Sequence, residues 1–181
     1  MYGMIHCAVR EMFVEQLGAT EWAALERAAK ITAADQISFN VYNDALTMRI
    51  LEEAAVRLGL DMQDCLEEFG RYWIVFAGKG SFKSMMEFTG DDIMTFISNL
   101  DQMHRSVVRT LTKAQMPSFQ VLEKGDGYFT VLYLSERNGL GAFVTGLLKG
   151  LLDHFNQIGD VKLIKDGPVG LEYKIWHRDG P

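Results

Sequence analysis

Pro117-Ser118-Phe119-Gln120-Val121-Leu122-Glu123-Lys124-Gly125-Asp126-Gly127-Tyr128-Phe129-Thr130-Val131-Leu132-Tyr133-Leu134-Ser135-Glu136-Arg137 is the stretch on which the fold class turns. Two runs rich in β-branched and aromatic residues, 119–124 and 128–137, flank Gly125-Asp126-Gly127. That is the signal of a β-hairpin. Upstream of Pro117 the apolar spacing is helical. Ile5, Ala8, Val9, Met12, Phe13 and Leu17 recur at intervals of three and four, and Gly18 fits a C-cap. Thr20 opens a second helix with Trp22, Leu25 and Ala29, and Asp44 a third through Ile50, Leu51, Ala54, Ala55 and Leu58, ended by Gly59. Asp61 opens a fourth through Cys65, Phe69, Trp73 and Phe76, which stops before Gly78-Lys79-Gly80. A fifth stripe, from Asp91 or Asp92 to Leu111, is expected to break near Asn99, because Ser and Asn favour caps over helix interiors.

Downstream of the hairpin, Leu140, Phe143, Val144, Leu147, Leu148, Leu151 and Phe155 share one helical face, ending near Gly159. Residues 161–165 and 171–176 alternate as strands around Gly167-Pro168-Val169-Gly170. The expected class is α+β: helices first, then a four-stranded antiparallel sheet crossed by one helix. A chain of 181 residues reads as a single domain, 1–181, with a helical subdomain over 1–60 and a larger part over 61–181.

Hydrophobic residues make up 48% and charged residues 23%, which excludes a disordered tail, a collagen-like repeat or a low-complexity linker. The net charge of −6 argues against nucleic acid as a partner. Two cysteines, Cys7 and Cys65, make no disulfide framework; a reducing compartment and a cytoplasmic location are expected. The first residues lack the basic and apolar pattern of a signal peptide, and no apolar run reaches membrane-spanning length. Both cysteines read as small buried hydrophobes, and His6 and His177 as surface residues.

His104 is the residue out of place, set in an apolar helical stripe between Leu100, Val107 and Val108. Its ordinary reading is a core histidine bonded to a backbone carbonyl. The alternative is a metal ligand through a neutral imidazole nitrogen. Zinc would need three or four ligands, and neither HExxH nor paired CxxC is present. Haem iron needs one axial protein ligand beside an apolar cavity, because the porphyrin supplies four nitrogens. Tyr133, Ser135 and Arg137 are expected on one face of the second strand, where two hydroxyls and a guanidinium suit a carboxylate. A solvated strand face is the plainer account of the same alternation. Met1, Ile5, Met12, Trp73 and Phe76, with the 140–155 stripe that holds Phe143 and Leu147, would serve as apolar cover or simply as core.

Taken together, the sequence resembles the haem nitric oxide/oxygen binding (H-NOX) family, the gas-sensing module shared by bacterial sensors and soluble guanylate cyclase. His104 in Leu100-Asp101-Gln102-Met103-His104 matches the proximal haem ligand, and Pro117 the haem-flattening proline. Tyr133-x-Ser135-x-Arg137 matches the Y-x-S-x-R propionate clamp. Met1-Tyr2-Gly3-Met4-Ile5 and Phe69-Gly70-Arg71-Tyr72-Trp73 also look like family sequence.

The resemblance implies haem b held between the two parts of the chain, contacted by Met1, Ile5, Trp73, Pro117, Phe143 and Leu147. It implies a sensor rather than an enzyme. Nitric oxide binding would weaken the Fe–His104 bond and free its helix, and the helical part would rotate against the sheet part. The signal would pass to a separate protein such as a histidine kinase or cyclic-di-GMP enzyme. Oxygen-binding members carry a distal tyrosine on the helix after the clamp. Gly139-Leu140-Gly141-Ala142-Phe143, where an ungapped count places it, offers no hydroxyl, so nitric oxide is expected over O₂. CO is a further possible ligand, and the Trp73 indole is the donor that would restore oxygen affinity. An O₂ sensor and a haem-independent binding module are the competing readings.

Overall fold

The sheet forms as the hairpin stretch predicts. In this computed structural model, which describes residues 1–80 and 82–180, β1 (Ser118–Gly125) and β2 (Tyr128–Leu134) pair antiparallel across Asp126-Gly127. Gly127 takes a positive φ of 69°, which a residue with a Cβ adopts only at a cost. β3 (Gln157–Gly167) and β4 (Gly170–Asp179) complete an antiparallel sheet in the order β1-β2-β4-β3. Strand period two sends Phe129, Val131 and Tyr133 of β2 and Tyr173 and Ile175 of β4 to the buried face.

Seven α-helices are described: α1 (Gly3–Leu17), α2 (Ala19–Ala29), α3 (Asp44–Leu58), α4 (Met62–Lys79), α5 (Lys83–Thr89), α6 (Ile93–Thr110) and α7 (Gly141–His154). A 3-10 turn, Ala33–Gln36, precedes α3. The architecture is α+β.

The chain divides into two compact units, Met1–Phe69 and Gly70–Pro181. The first is helical. Ala8, Val9, Met12 and Phe13 from α1 are buried, as are Trp22 and Leu25 from α2 and Ile50, Leu51 and Ala54 from α3. Phe13 meets Trp22 edge-on at 5.7 Å. His6, expected at the surface, is instead fully buried. Its burial is tolerated because both ring nitrogens are satisfied. Nδ1 donates to the Asp35 carbonyl at 2.6 Å, and the Thr47 hydroxyl donates to Nε2 at 2.8 Å. Burial holds the ring below the usual imidazole pKa, against the hydrogen bond to Asp35.

In the second unit, α6 and α7 cover the buried face of the sheet. Ile93, Phe96, Ile97 and Leu100 of α6 join Val144, Leu148, Leu151 and Leu152 of α7 in one core. Each large side chain so buried stabilises the fold by about 1.5–3 kcal/mol. α4 and α7 approach closely at glycines. A Cβ on Gly70 would lie 2.1 Å from the Phe143 carbonyl oxygen, and one on Gly150 would lie 2.9 Å from that of Arg71. Arg71 spans the same pair of helices, binding both carboxylate oxygens of Asp153.

The break expected near Asn99 is absent, and α6 is continuous. Ser98 donates back to the Met94 carbonyl at 2.8 Å, and the Asn99 amide donates to the Thr89 carbonyl at 2.8 Å. The polar side chains are engaged outside the α6 ladder or along it, so they do not compete with it. Helix α7 also ends earlier than expected. Asn156 adopts φ 51°, and β3 then absorbs Gly159.

Candidate haem-ligand site

Asp92 begins the geometry by capping α6, accepting from the Thr95 backbone N–H at 2.9 Å. Leu100 and Val107 face the core, and His104 lies half-buried between them on the helix. Its Nδ1 lies 2.9 Å from the Pro117 carbonyl oxygen. A carbonyl can only accept, so Nδ1 carries the proton and Nε2 holds the lone pair. Burial pushes the His104 pKa below the usual imidazole value, against the Pro117 hydrogen bond and the Asp101 charge. The ring is therefore neutral near pH 7.

Asp101 sits one turn before His104 and fastens α6 to the start of β1. Its Oδ1 accepts from the Phe119 backbone N–H at 2.9 Å, and Oδ2 accepts from the Ser118 hydroxyl at 2.6 Å. Three consecutive residues, Pro117, Ser118 and Phe119, are thus bonded to two α6 side chains. No role was read for Asp101 from sequence. The available signal was an acidic residue one helical turn from the out-of-place histidine.

Phe119 carries this contact on to Tyr133. Its ring is 6.3 Å from that of His104 and 5.1 Å from that of Tyr133. Tyr133, Ser135 and Arg137 come together, but not by strand alternation. β2 ends at Leu134, one residue before Ser135. The chain then turns. The Arg137 backbone N–H donates to Ser135 Oγ at 3.0 Å, which is a local hydroxyl-to-backbone turn. Burial raises the Tyr133 hydroxyl above the usual phenol pKa, while a hydrogen bond with Ser135 and the Arg137 charge lower it. Tyr133 therefore stays a neutral donor. The Arg137 guanidinium donates to the Gln115 carbonyl at 3.0 Å and to Gln115 Oε1 at 3.2 Å. Those acceptors set a fixed direction for the cation.

Pro117 is half-buried, and its carbonyl faces His104. Trp73 of α4 and Leu147 of α7 are half-buried and pack on the core of the second unit. Phe143 of α7 is also half-buried. Trp73 stacks with Phe76 at 5.7 Å. Met1 and Ile5 belong to the first unit, where both are half-buried; the Met1 nitrogen lies 2.6 Å from Asp44 Oδ1. Cys65 is fully buried and burial pushes its thiol up to about 11, whereas Cys7 is only half-buried. No group of three or more His, Cys, Asp or Glu side chains fit to hold a bare metal ion occurs among the described residues. A neutral imidazole with its far nitrogen anchored to a carbonyl is the donor a haem iron takes, so the residues present fit that group.

An α+β domain with one such helix-borne imidazole beside an antiparallel sheet has the makings of a haem-binding sensor. The chain belongs to the Haem-NO-binding family, whose sequence profile matches residues 2–163. Members of this family are haem-based gas sensors, and these domains sense rather than catalyse.

Among curated proteins the chain is similar to soluble guanylate cyclase gcy-35 of Caenorhabditis elegans. The identity is 25% over 152 residues, covering 82% of this chain and 22% of that protein. Guanylate cyclase soluble subunit beta-2 of Rattus norvegicus is 31% identical over 94 residues, 52% of this chain and 14% of its own. The chain thus spans less than a quarter of the length of these relatives.

Among solved structures, an H-NOX protein from S. oneidensis in the Fe(II)NO state superposes with a TM-score of 0.85 at 21% identity, covering 99% of this chain and 100% of that one. An oxygen-binding H-NOX domain related to soluble guanylate cyclases superposes with a TM-score of 0.81 at 17% identity, covering 99% and 96%. These likenesses establish the fold. No helix among the described residues is long and apolar enough to cross a membrane.

Proposed function

We propose that this chain senses nitric oxide at ferrous haem b and signals to a separate protein. The observation that carries the reading is the His104–Pro117 hydrogen bond at 2.9 Å, which leaves Nε2 as a free donor. Bound there, haem would supply a ferrous iron able to take a diatomic gas. Tyr133, Ser135 and Arg137 would hold its propionates through two hydroxyls and a charged fork. Trp73, Pro117, Phe143 and Leu147 would contribute apolar contacts.

Support for nitric oxide over O₂ comes from α7. The Thr145 hydroxyl donates to the Gly141 carbonyl at 3.2 Å, and the Tyr173 hydroxyl donates to the same oxygen at 2.9 Å. These two hydroxyls beside the first turn of α7 are thus engaged with the Gly141 carbonyl and with each other. Bound O₂ gains from a donor, whereas nitric oxide needs none. A reporting role for His104 is supported by its helix. His104 shares α6 with Asp101, so a change at its ring bears on the helix and on the first residues of β1. A histidine kinase or a cyclic-di-GMP enzyme is the class of partner proposed.

The test is an absorption spectrum of the anaerobically reduced protein, then with nitric oxide, then separately in air. A Soret band that shifts with nitric oxide, with no stable oxygen complex in air, is expected. His104→Gly should lose ferrous haem and recover it with added imidazole. A stable oxygen complex would reassign the ligand. Absence of any Soret band after haem addition would overturn the reading.

A further inference from the structure

The helix that carries His104 also carries cations on its solvent side. Arg105 and Arg109 are exposed on α6, one turn apart. Four residues of α-helix separate them by about 6 Å along the axis. Lys113 follows at the same interval, in the turn after the helix, and is also exposed. Among the described residues neither Arg105 nor Arg109 holds a carboxylate. The acidic residue nearest them on α6, Asp101, is occupied by Ser118 and Phe119. Arg109 lies in the last turn, where it complements the helix dipole. Arg105 is too far from the C-terminus to gain that benefit. Around it, Ser98, Gln102, Ser106 and Thr110 are exposed and uncharged, and the one carboxylate from Ser98 onward on α6, the half-buried Asp101, is bonded to Ser118 and Phe119.

This row stands out against the rest of the chain. Met1–Phe69 has five Lys and Arg against twelve Asp and Glu, a net charge of −7. Gly70–Pro181 has thirteen against twelve, a net charge of +1. Overall negative charge disfavours approach to nucleic acid or an anionic membrane, both of which reward many dispersed cations. A short row with helical spacing suits another helix with carboxylates at the same spacing.

We infer that the outer face of α6, through Arg105 and Arg109, docks an acidic helix face of a separate partner protein. The inference rests on the sensor reading for its biological sense, since the docked helix is the one that bears the haem ligand. The two readings fail separately: haem binding is read by the Soret band, docking by the titration below.

The probe is a fluorescent alanine-rich helical peptide with Glu at i, i+4 and i+8 on one face, followed by anisotropy with the full chain. A scrambled peptide of equal composition, phosphatidylserine vesicles and duplex DNA are the comparisons. Binding of the one-face peptide is expected at low salt, weakening as salt rises. The R105E/R109E variant should lose about tenfold in affinity, since it turns two attractions into repulsions. Arg105→Gln with Arg109→Gln provides a milder version in case the reversal perturbs folding, and circular dichroism checks both. Equal binding by both peptides, unchanged affinity in the variants, or no binding at low salt would overturn the proposal. So would tighter binding of the vesicles or DNA through the same two arginines.

Discussion

Asp101 offers the sharpest perturbation, because Asp101→Ala removes both hydrogen bonds that fasten α6 to the start of β1. One is the 2.9 Å bond from the Phe119 backbone N–H and the other the 2.6 Å bond from the Ser118 hydroxyl. Hydrogen bonds to a charged group contribute roughly 1.5–3 kcal/mol each. Asp101 and Ser118 are only half-buried, so water recovers part of that, and the Ser118 hydroxyl recovers most readily. The net expectation is a loss of about 2–3 kcal/mol, dominated by the Phe119 N–H. For a chain of this size that lowers the melting temperature by about 5–10 °C. Asp101→Asn keeps a carbonyl for Phe119 and places an amide toward Ser118, so about 1 kcal/mol should be lost. The specific assay is amide hydrogen exchange at Phe119, which should accelerate at least tenfold in Asp101→Ala. A melting temperature within 1 °C of the parent, with Phe119 protection unchanged, would refute the pinning role.

Arg137→Ala should shorten haem retention about tenfold, measured as transfer to excess apomyoglobin, because a propionate would lose a charge-assisted partner worth one to two hydrogen bonds. His6 should make stability depend on pH. Burial holds its folded pKa below 6.5, so the folded state stays neutral where the unfolded chain takes up a proton. Stability is then full above about pH 6.5 and falls as pH drops below it, by at most about 1.4 kcal/mol per pH unit. Urea midpoints at pH 7.5, 6.5 and 5.5 should show this drop in the parent chain and a flatter response in His6→Asn.

Much of the fold was legible because its signals are local. The Asp126-Gly127 turn, the Asp92 cap and the three-and-four spacing of α1, α3 and α6 each act within a few residues. The failures involve partners distant in sequence. Asn99 looked like a helix breaker because its amide competes with the local ladder, but the Thr89 carbonyl ten residues away takes it up. His6 was expected at the surface. Asp35 and Thr47, 29 and 41 residues on, satisfy both nitrogens. Periodicity carries no information about either partner.

The site repeats that division in a more consequential form. His104 was legible as the wrong residue for its stripe, and Tyr133, Ser135 and Arg137 as a polar triplet. Strand alternation, however, gave the wrong reason for the triplet's convergence. β2 stops at Leu134, and it is Ser135 Oγ, accepting from the Arg137 N–H, that folds the segment back. A hydroxyl that only decorated a strand face could be exchanged for another polar group at little cost. One that closes a turn sets the direction of the next guanidinium, so Ser135→Ala should disturb Arg137 before any ligand is involved. The same argument applies to Pro117. Its ring occupies the sequence motif, but its carbonyl, held between α6 and β1, is what fixes the proton on His104 Nδ1. Which imidazole nitrogen keeps its lone pair is therefore chosen by a backbone group thirteen residues from the ring, and Asp101 steadies the two residues that follow Pro117.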